Sequence, residues 1–333
     1  MLVSAVLMTL LAAQTPIVGQ IEIFGARKIP QERILKALDV KPGDPLPPSK
    51  SRLEETLLAV DGVARASVEA FCCEAGKAIL YVGIEERGAP AFPLRDWPQG
   101  DLQLPPEIVE VYHDYTIALA QAMREGDVVE DISKGHSLMS NIACRVLQER
   151  FLGLAEVHLE ALRAVLRESD DEEQRTIAAY VLGYAPHKSD VTADLQLALR
   201  DPDADVRANA LRALRPIAAL ALKDPALGIK VETTWFVEML NSTVLQDRLE
   251  AVRTLLMLTD QGMSAATAGH IRERGLRSLE EMAHWRHLEH ALPAFLLLGR
   301  LAGMDLTDLE QAWARGEGPQ KLQEIEQKLK SKK

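Results

Sequence analysis

One helical pattern is written twice between Glu168 and Leu214, and a chain that repeats itself at this interval has few folds open to it. Ser-Asp-Asp-Glu-Glu-Gln-Arg-Thr-Ile-Ala-Ala-Tyr-Val-Leu at 169–182 returns as Asp-Pro-Asp-Ala-Asp-Val-Arg-Ala-Asn-Ala-Leu-Arg-Ala-Leu at 201–214. Arg175, Ala178 and Leu182 fall on Arg207, Ala210 and Leu214, and Arg248, Ala251 and Leu255 repeat the frame. Offsets of three and seven from the Arg return to one side of a helix, so each Ala and Leu is expected to face a common neighbour. The intervals, 32 and then 41 residues between successive arginines, are those of an α-solenoid built from helix pairs.

The bulk numbers agree with that reading. Apolar residues make up 47% of 333, enough to bury a sizeable core, and aromatics only 5%, which suits small-residue helix packing. The net charge of −11 argues against a nucleic-acid groove, which needs a basic footprint to release counterions. Three cysteines, two of them adjacent at Cys72 and Cys73, form neither a disulfide framework nor a zinc pattern. They read as free thiols, with a bridge from Cys144 to either neighbour as the alternative.

Leu2 to Ala13 is an apolar run too short to span a bilayer as a helix. Residues 1–13 therefore read as a secretory signal peptide cleaved before Gln14. No Lys or Arg precedes the run, which leaves a buried strand or an uncleaved anchor as alternatives.

Residues 19–88 carry a small β-α-α-β-β pattern. Ile21 and Ile23 alternate in a first strand ended by Gly25. Pro30 opens a helix with Ile34, Leu35 and Leu38 apolar, and Ser49 caps a second with Leu53, Leu57 and Leu58 inside. Val63 to Cys72 and Ala78 to Glu85 then read as a hairpin. Its last strand is apolar on both sides, as a central strand is.

The segments Ile21-Glu-Ile-Phe-Gly25, Lys41-Pro-Gly-Asp44, Gly62-Val63 and Leu80-Tyr-Val-Gly-Ile-Glu85, in this element order, resemble a polypeptide-transport-associated (POTRA) domain. The resemblance implies a periplasmic module that binds unfolded or partner chains, partly by adding a strand to a sheet edge. The second strand would be that edge, with Arg65, Ser67, Glu69 and Phe71 as its partner-binding residues. A structural cap without a client is the other reading, since no barrel strands follow.

Residues 89–105 hold Pro90, Pro93, Pro98 and Pro105 and read as a stiff extended linker, with Phe92 and Trp97 tucked against one domain. Residues 106–316 read as helices throughout: Pro106 to about Arg124, His136 to Phe151, Ala155 to Leu166, then the repeats, with Asp190 capping one helix. Later helices run from Thr267 to Ala283, Trp285 to Leu301 and Asp305 to Ala314. Residues 317–333 read as a charged C-terminal tail, with Gln320 to Lys333 as a frayed terminal helix. The Asp-x-x-Val-Arg-x-x-Ala-x-x-Ala-Leu pattern at 203–214 resembles a HEAT repeat, with looser copies at 172–182 and 245–255. The whole resembles secreted bacterial HEAT-repeat proteins. The expected fold class is thus α+β then all-α, a POTRA-like module followed by a HEAT-type solenoid.

No residue pattern demands catalysis. Gly-rich phosphate loops, nucleophile elbows and paired-His zinc motifs do not occur. His284, His287 and His290 lie three apart, but the outer two diverge on a helix, so surface histidines are expected and no metal site. Glu289-His290 is a solitary, reversed version of an iron-oxygenase pair. Gly135-His136-Ser137 would serve nucleophilic chemistry only with a third group arranged by the fold. The expected function is a periplasmic or secreted, non-enzymatic scaffold without cofactors. It would bind a protein or peptide partner, an outer-membrane or other envelope protein among the candidates. A HEAT-like lyase or metal-dependent enzyme is the rival reading.

Overall fold

A computed structural model describes residues 16–74 and 76–331, the side chains of 72–74 excepted. The expected signal segment at 1–13 and the thiols of Cys72 and Cys73 lie outside the described residues. The chain divides into two units between Ala89 and Pro90, a small mixed sheet with helices and then an all-helical region.

In the first unit, strand β1 is Val18–Phe24, helices α1 and α2 are Gln31–Leu38 and Lys50–Leu58, and strands β2 and β3 are Val63–Glu74 and Lys77–Glu86. The sheet order is β1-β3-β2, with β1 parallel and β2 antiparallel to the central β3. Centrality explains the double apolarity of β3. Leu80, Val82 and Ile84 join Ile34, Leu38 and Leu57 in one core, while Ile79 and Tyr81 are buried on the opposite face. Ser49 caps α2 as its side chain allows, accepting from the Arg52 N–H. Leu35 and Leu58 depart from the expected inner stripes and are exposed. A helix period of 3.6 keeps Ile34 with Leu38 and Leu53 with Leu57 on one side and turns the adjacent leucine away.

Glu86 ties this unit together. Its Oε1 accepts from the backbone N–H groups of Arg27, Lys28 and Ile29, each at 2.7 Å. Burial acts to raise its pKa, yet these bonds outweigh it and hold the carboxyl below its ordinary value. A depressed carboxylate pKa stabilises the fold above the unfolded value of about 4.3. That contribution fades as pH falls through the folded value. Glu86→Gln is therefore expected to cost this unit about 1–2 kcal/mol at neutral pH. The difference from wild type should shrink below about pH 4. Hydrogen exchange of the β1–β3 amides measures it; a pH-independent difference would refute the charge argument.

The second unit opens with an extended strap, 90–105. The prolines make it extended as expected, but it is bonded to the helices along its length. Ala91 O accepts from Arg274 at 3.4 Å and Pro93 O from Arg200 at 3.0 Å. The Arg95 N–H donates to Arg200 O, and Gly100 bridges to Ser169. Leu104 N–H reaches Gln174 Oε1 at 2.8 Å. Phe92 is buried, and Trp97 lies over the Arg175 guanidinium, 4.9 Å from ring centroid to carbon. From Ala91 to Gly100 the strap meets the helical region in reverse chain order, from Arg274 back to Ser169.

The helices follow: α3 Pro106–Glu125, α4 Ile142–Val157, α5 Leu159–Glu168, α6 Glu172–Leu182, α7 Lys188–Ala198, α8 Ala204–Lys223, α9 Thr234–Met239 and α10 Leu245–Leu258. A π-helical turn, Ile271–Gly275, joins α11 Ala265–His270 to α12 Leu276–Ala283. Last come α13 Leu288–Leu301, α14 Leu306–Ala314 and α15 Gly318–Ser331. No described helix is long and apolar enough to cross a membrane.

Three sequence expectations need correction. The helix expected from His136 begins at Ile142, because 130–139 forms a short hairpin, β4 Glu130–Asp131 against β5 Leu138–Met139, and Asn141 supplies the cap. Asp190 is not a cap; α7 starts earlier, at Lys188, and Asp190 sits in its first turn. The terminal helix expected from Gln320 is present, from Gly318 to Ser331, but it is docked and not frayed. Leu322, Ile325 and Leu329, three and four residues apart, form a buried stripe on α15 that packs against α13 and α14.

The repeated positions are the inner seams. Ala178, Leu182, Ala210, Leu214, Ala251 and Leu255 are fully buried, and α6 packs on α8, α8 on α10, and α10 on α13. Each repeated arginine makes the same bond. Arg175 donates to Ser169 O (2.9 Å), Arg207 to Asp201 O (2.8 Å) and Arg248 to Ser242 O (2.7 Å), always six residues back. Each also reaches a carboxylate beyond its own helix: Arg175 to Asp201 (3.0 Å), Arg207 to Asp247 (2.9 Å) and Arg248 to Glu281 (3.4 Å). The guanidinium thus closes the loop entering its own helix and holds the segment that follows.

Candidate functional site

The cleft that combines charge with apolar walls lies among α3, the β4–β5 hairpin, α8 and α10. Its volume is about 400 Å³. Local chemistry builds it. Gly126 takes a left-handed φ of 72° and ends α3. Asp127 then receives Ser140 Oγ (2.9 Å) and Asn141 Nδ2 (3.1 Å), which fixes the hairpin against the start of α4. At the hairpin turn Gly135 has φ 77°, and a Cβ there would lie 2.7 Å from Leu220.

The hairpin delivers Glu130 to α8. Arg212 and Arg215, three apart and so on one helix face, both donate to its carboxylate; the Arg215 bond is 3.3 Å. Asn209, one turn earlier, donates to Tyr112 Oη and Thr176 O at 3.0 Å each. Leu119, Met123, Val128 and Met139 form the apolar wall.

Beside this charged group sits an aromatic cluster. Tyr115, Phe151, Tyr180 and Tyr184 pack with centroids 5.0–6.1 Å apart, and Tyr112 joins at 5.4 Å from Tyr180. A buried polar chain runs through it. Met139 N–H donates to Gln148 Oε1 (2.7 Å), Gln148 Nε2 to Tyr180 Oη (3.2 Å), and Tyr184 Oη to Ser137 O (2.9 Å), with the two hydroxyls 3.0 Å apart. Burial pushes both phenols well above their ordinary pKa, so they stay neutral at physiological pH. The cluster holds β5 by its main chain and thereby sets where Glu130 stands. Fixed cations, one shared carboxylate and an apolar wall suit binding of an amphiphilic group.

The sequence candidates lie elsewhere. Arg65, Ser67, Glu69 and Phe71 are on β2, an edge of the sheet; Arg65 pairs with Glu85 at 3.4 Å and Ser67 is buried. The Val68 N–H goes to Glu54 Oε1 at 2.8 Å, away from β3. In an antiparallel ladder the outward main-chain groups therefore belong to Ala66, Val68 and Ala70, and those of the four named residues turn inward. Glu54 already occupies the middle of that edge.

His136 and Ser137 do not form a base–nucleophile pair. Burial, then Lys188 and Lys134, lowers the His136 pKa to about 4. Its ring lies against Tyr184, and Ser137 Oγ is buried without a hydrogen-bond partner. His284 bonds Glu326 at 2.8 Å, while the His287 and His290 rings meet tilted, with centroids 4.1 Å apart; His290 is buried and not a surface histidine as expected, because its helix turns it inward. Among the described residues no group of three or more His, Cys, Asp or Glu is placed to hold a metal. Cys144 is a free, buried thiol. The cleft residues themselves were not among the sequence candidates. The only local signal was Asn209, Arg212 and Arg215 three apart on one helix; Glu130 lies 82 residues from Arg212. No protein-family model matches the chain, and no curated protein matches it.

Proposed function

We propose that this chain is an exported, non-enzymatic interaction protein that binds a protein or peptide partner at the cell envelope through its helical unit. The observation that carries the reading is an apolar rim beside the cleft. Met123, Val128, Val129, Ile142 and Val146 are all strongly exposed. Met123 and Val128 line the cleft, the Ser140 N–H bonds Val129 O, and Ile142 and Val146 share a face of α4. Large apolar side chains grouped in this way mark interaction sites.

The recurring arginine bonds and Ala/Leu seams support a HEAT-type solenoid, whose stacked pairs present long surfaces. The β1-β3-β2 sheet with two helices supports the POTRA-like assignment of the first unit, and periplasmic or secreted placement rests on residues 1–13. With Glu54 across the β2 edge, the helical unit is the main binding surface, and a net charge of −11 disfavours nucleic acid as the partner.

A photo-cross-linking residue placed at Ile142 in the native host tests this, with exposed Glu310 on α14 as the control position. A discrete adduct from Ile142 and none from Glu310 is expected, in the envelope fraction. Equal adducts, or none, would refute the surface. Recovery in the cytoplasm with residues 1–13 attached would refute export.

A further inference from the structure

We infer that the cleft holds the free C-terminus of a partner polypeptide, its α-carboxylate on Arg215 and Arg212 and its last, apolar side chain against Leu119, Met123, Val128 and Met139. This rests on the reading of the helical unit as a binding surface and names what that surface grips.

Charge comes first. Two guanidiniums share the one carboxylate of Glu130, and the other acid lining the cleft, Glu250, is engaged by Arg253 at 2.7 Å. One positive charge is left over. Among the described residues Arg215 makes a single hydrogen bond, the 3.3 Å contact to Glu130, and its side chain is 40% exposed. Arg212 Nε is buried without a partner. A guanidinium has five donors in a planar fork that fits a carboxylate, so both can take a second one. The Arg212 Nε is closed to solvent, so a ligand would meet the terminal nitrogens of that side chain, which is 32% exposed.

Shape then selects a chain end. At about 400 Å³ the cleft is at the small end of ligand pockets, with room for a terminal residue and not a long segment. In an extended segment neighbouring side chains point to opposite sides, so an internal acid and its apolar neighbour would not enter together. A C-terminal residue carries carboxylate and side chain on one Cα. The residues before it would run over the exposed Val129, Ile142 and Val146.

The probes are N-acetyl-leucine and N-acetyl-leucinamide, added to the full chain carrying ¹³C-methyl methionine and followed by NMR. N-Acetyl-leucine is expected to shift the Met123 and Met139 methyl signals, and the amide to bind at least about tenfold more weakly. Arg215→Ala should abolish the shifts, and Arg215→Lys should restore them only in part, because it returns charge without the fork. Unchanged remaining methionine signals show that each variant is folded. Equal binding of acid and amide would overturn the chain-end proposal while leaving the binding surface intact. Tighter binding of octanoate than of N-acetyl-leucine would overturn it in favour of a free acid. No shift with any probe also overturns it, and the Ile142 adduct then decides separately whether the surface binds at all.

Discussion

Replacing Asp201 with alanine is expected to destabilise the helical unit by about 3–5 kcal/mol, the cost of stranding one member of a buried ion pair. Asp201 and Arg175 are both fully buried, and the carboxylate meets the guanidinium at 3.0 Å through both oxygens. The same carboxylate receives Arg95 from the strap and the Asp203 N–H at the start of α8. Its loss therefore touches a repeat, the strap and a helix start together. Denaturant unfolding followed by tryptophan fluorescence reports it, since Trp97 stacks on Arg175 and Trp235 on Arg200. The double variant Arg175→Met, Asp201→Leu should be less destabilised than Asp201→Ala alone, because the fully buried guanidinium leaves with its carboxylate and Arg95 keeps the carbonyls of Leu166 and Arg167. A loss under about 1 kcal/mol for Asp201→Ala would place the pair with ordinary surface bridges and refute its role.

Phe151→Ala is expected to cost about 3–5 kcal/mol as a large deletion in a closed core. The ring is fully buried and touches Tyr115, Tyr180 and Tyr184. Beyond lost packing, the deletion frees the two tyrosines whose hydroxyl chain holds the hairpin. The near-ultraviolet dichroism of the tyrosines should fall, and amide exchange at Met139 should quicken. Phe151→Leu should retain more of the stability and most of the Met139 protection. If Phe151→Ala costs no more than the usual ~1 kcal/mol of a point change, the cluster is not what positions the cleft.

What could be read from the sequence was what repeats or alternates locally. Ala178, Leu182 and their counterparts, the Ser49 cap and the doubly apolar β3 are all set by neighbours within a turn or a strand. The α+β then all-α order follows from the same signals. The arginine positions were legible, but their acceptors were not: Asp201, Asp247 and Glu281 lie 26, 40 and 33 residues beyond their arginines, with no common interval. The hairpin was legible only as a break, because strands of two residues carry no alternation. The cleft was illegible for the same reason that it is specific, since Glu130 joins α8 across 82 residues. The α15 stripe was hidden in composition: Leu322, Ile325 and Leu329 stand among lysines and glutamates that dominate an average.

The docked strap sets an order of events during synthesis. Ala91 leaves the ribosome early, yet its partner Arg274 comes 183 residues later, and Pro93 waits 107 residues for Arg200. At roughly 5–20 residues per second, the last tie forms at least about ten seconds after the strap is made. Helix pairs can assemble as they emerge, but this clasp closes only once the π-helical turn after α11 has emerged. A nascent chain stalled between Arg200 and Arg274 should therefore leave the stretch around Ala91 open to protease while Pro93 and Arg95 are already tied and the completed repeats resist.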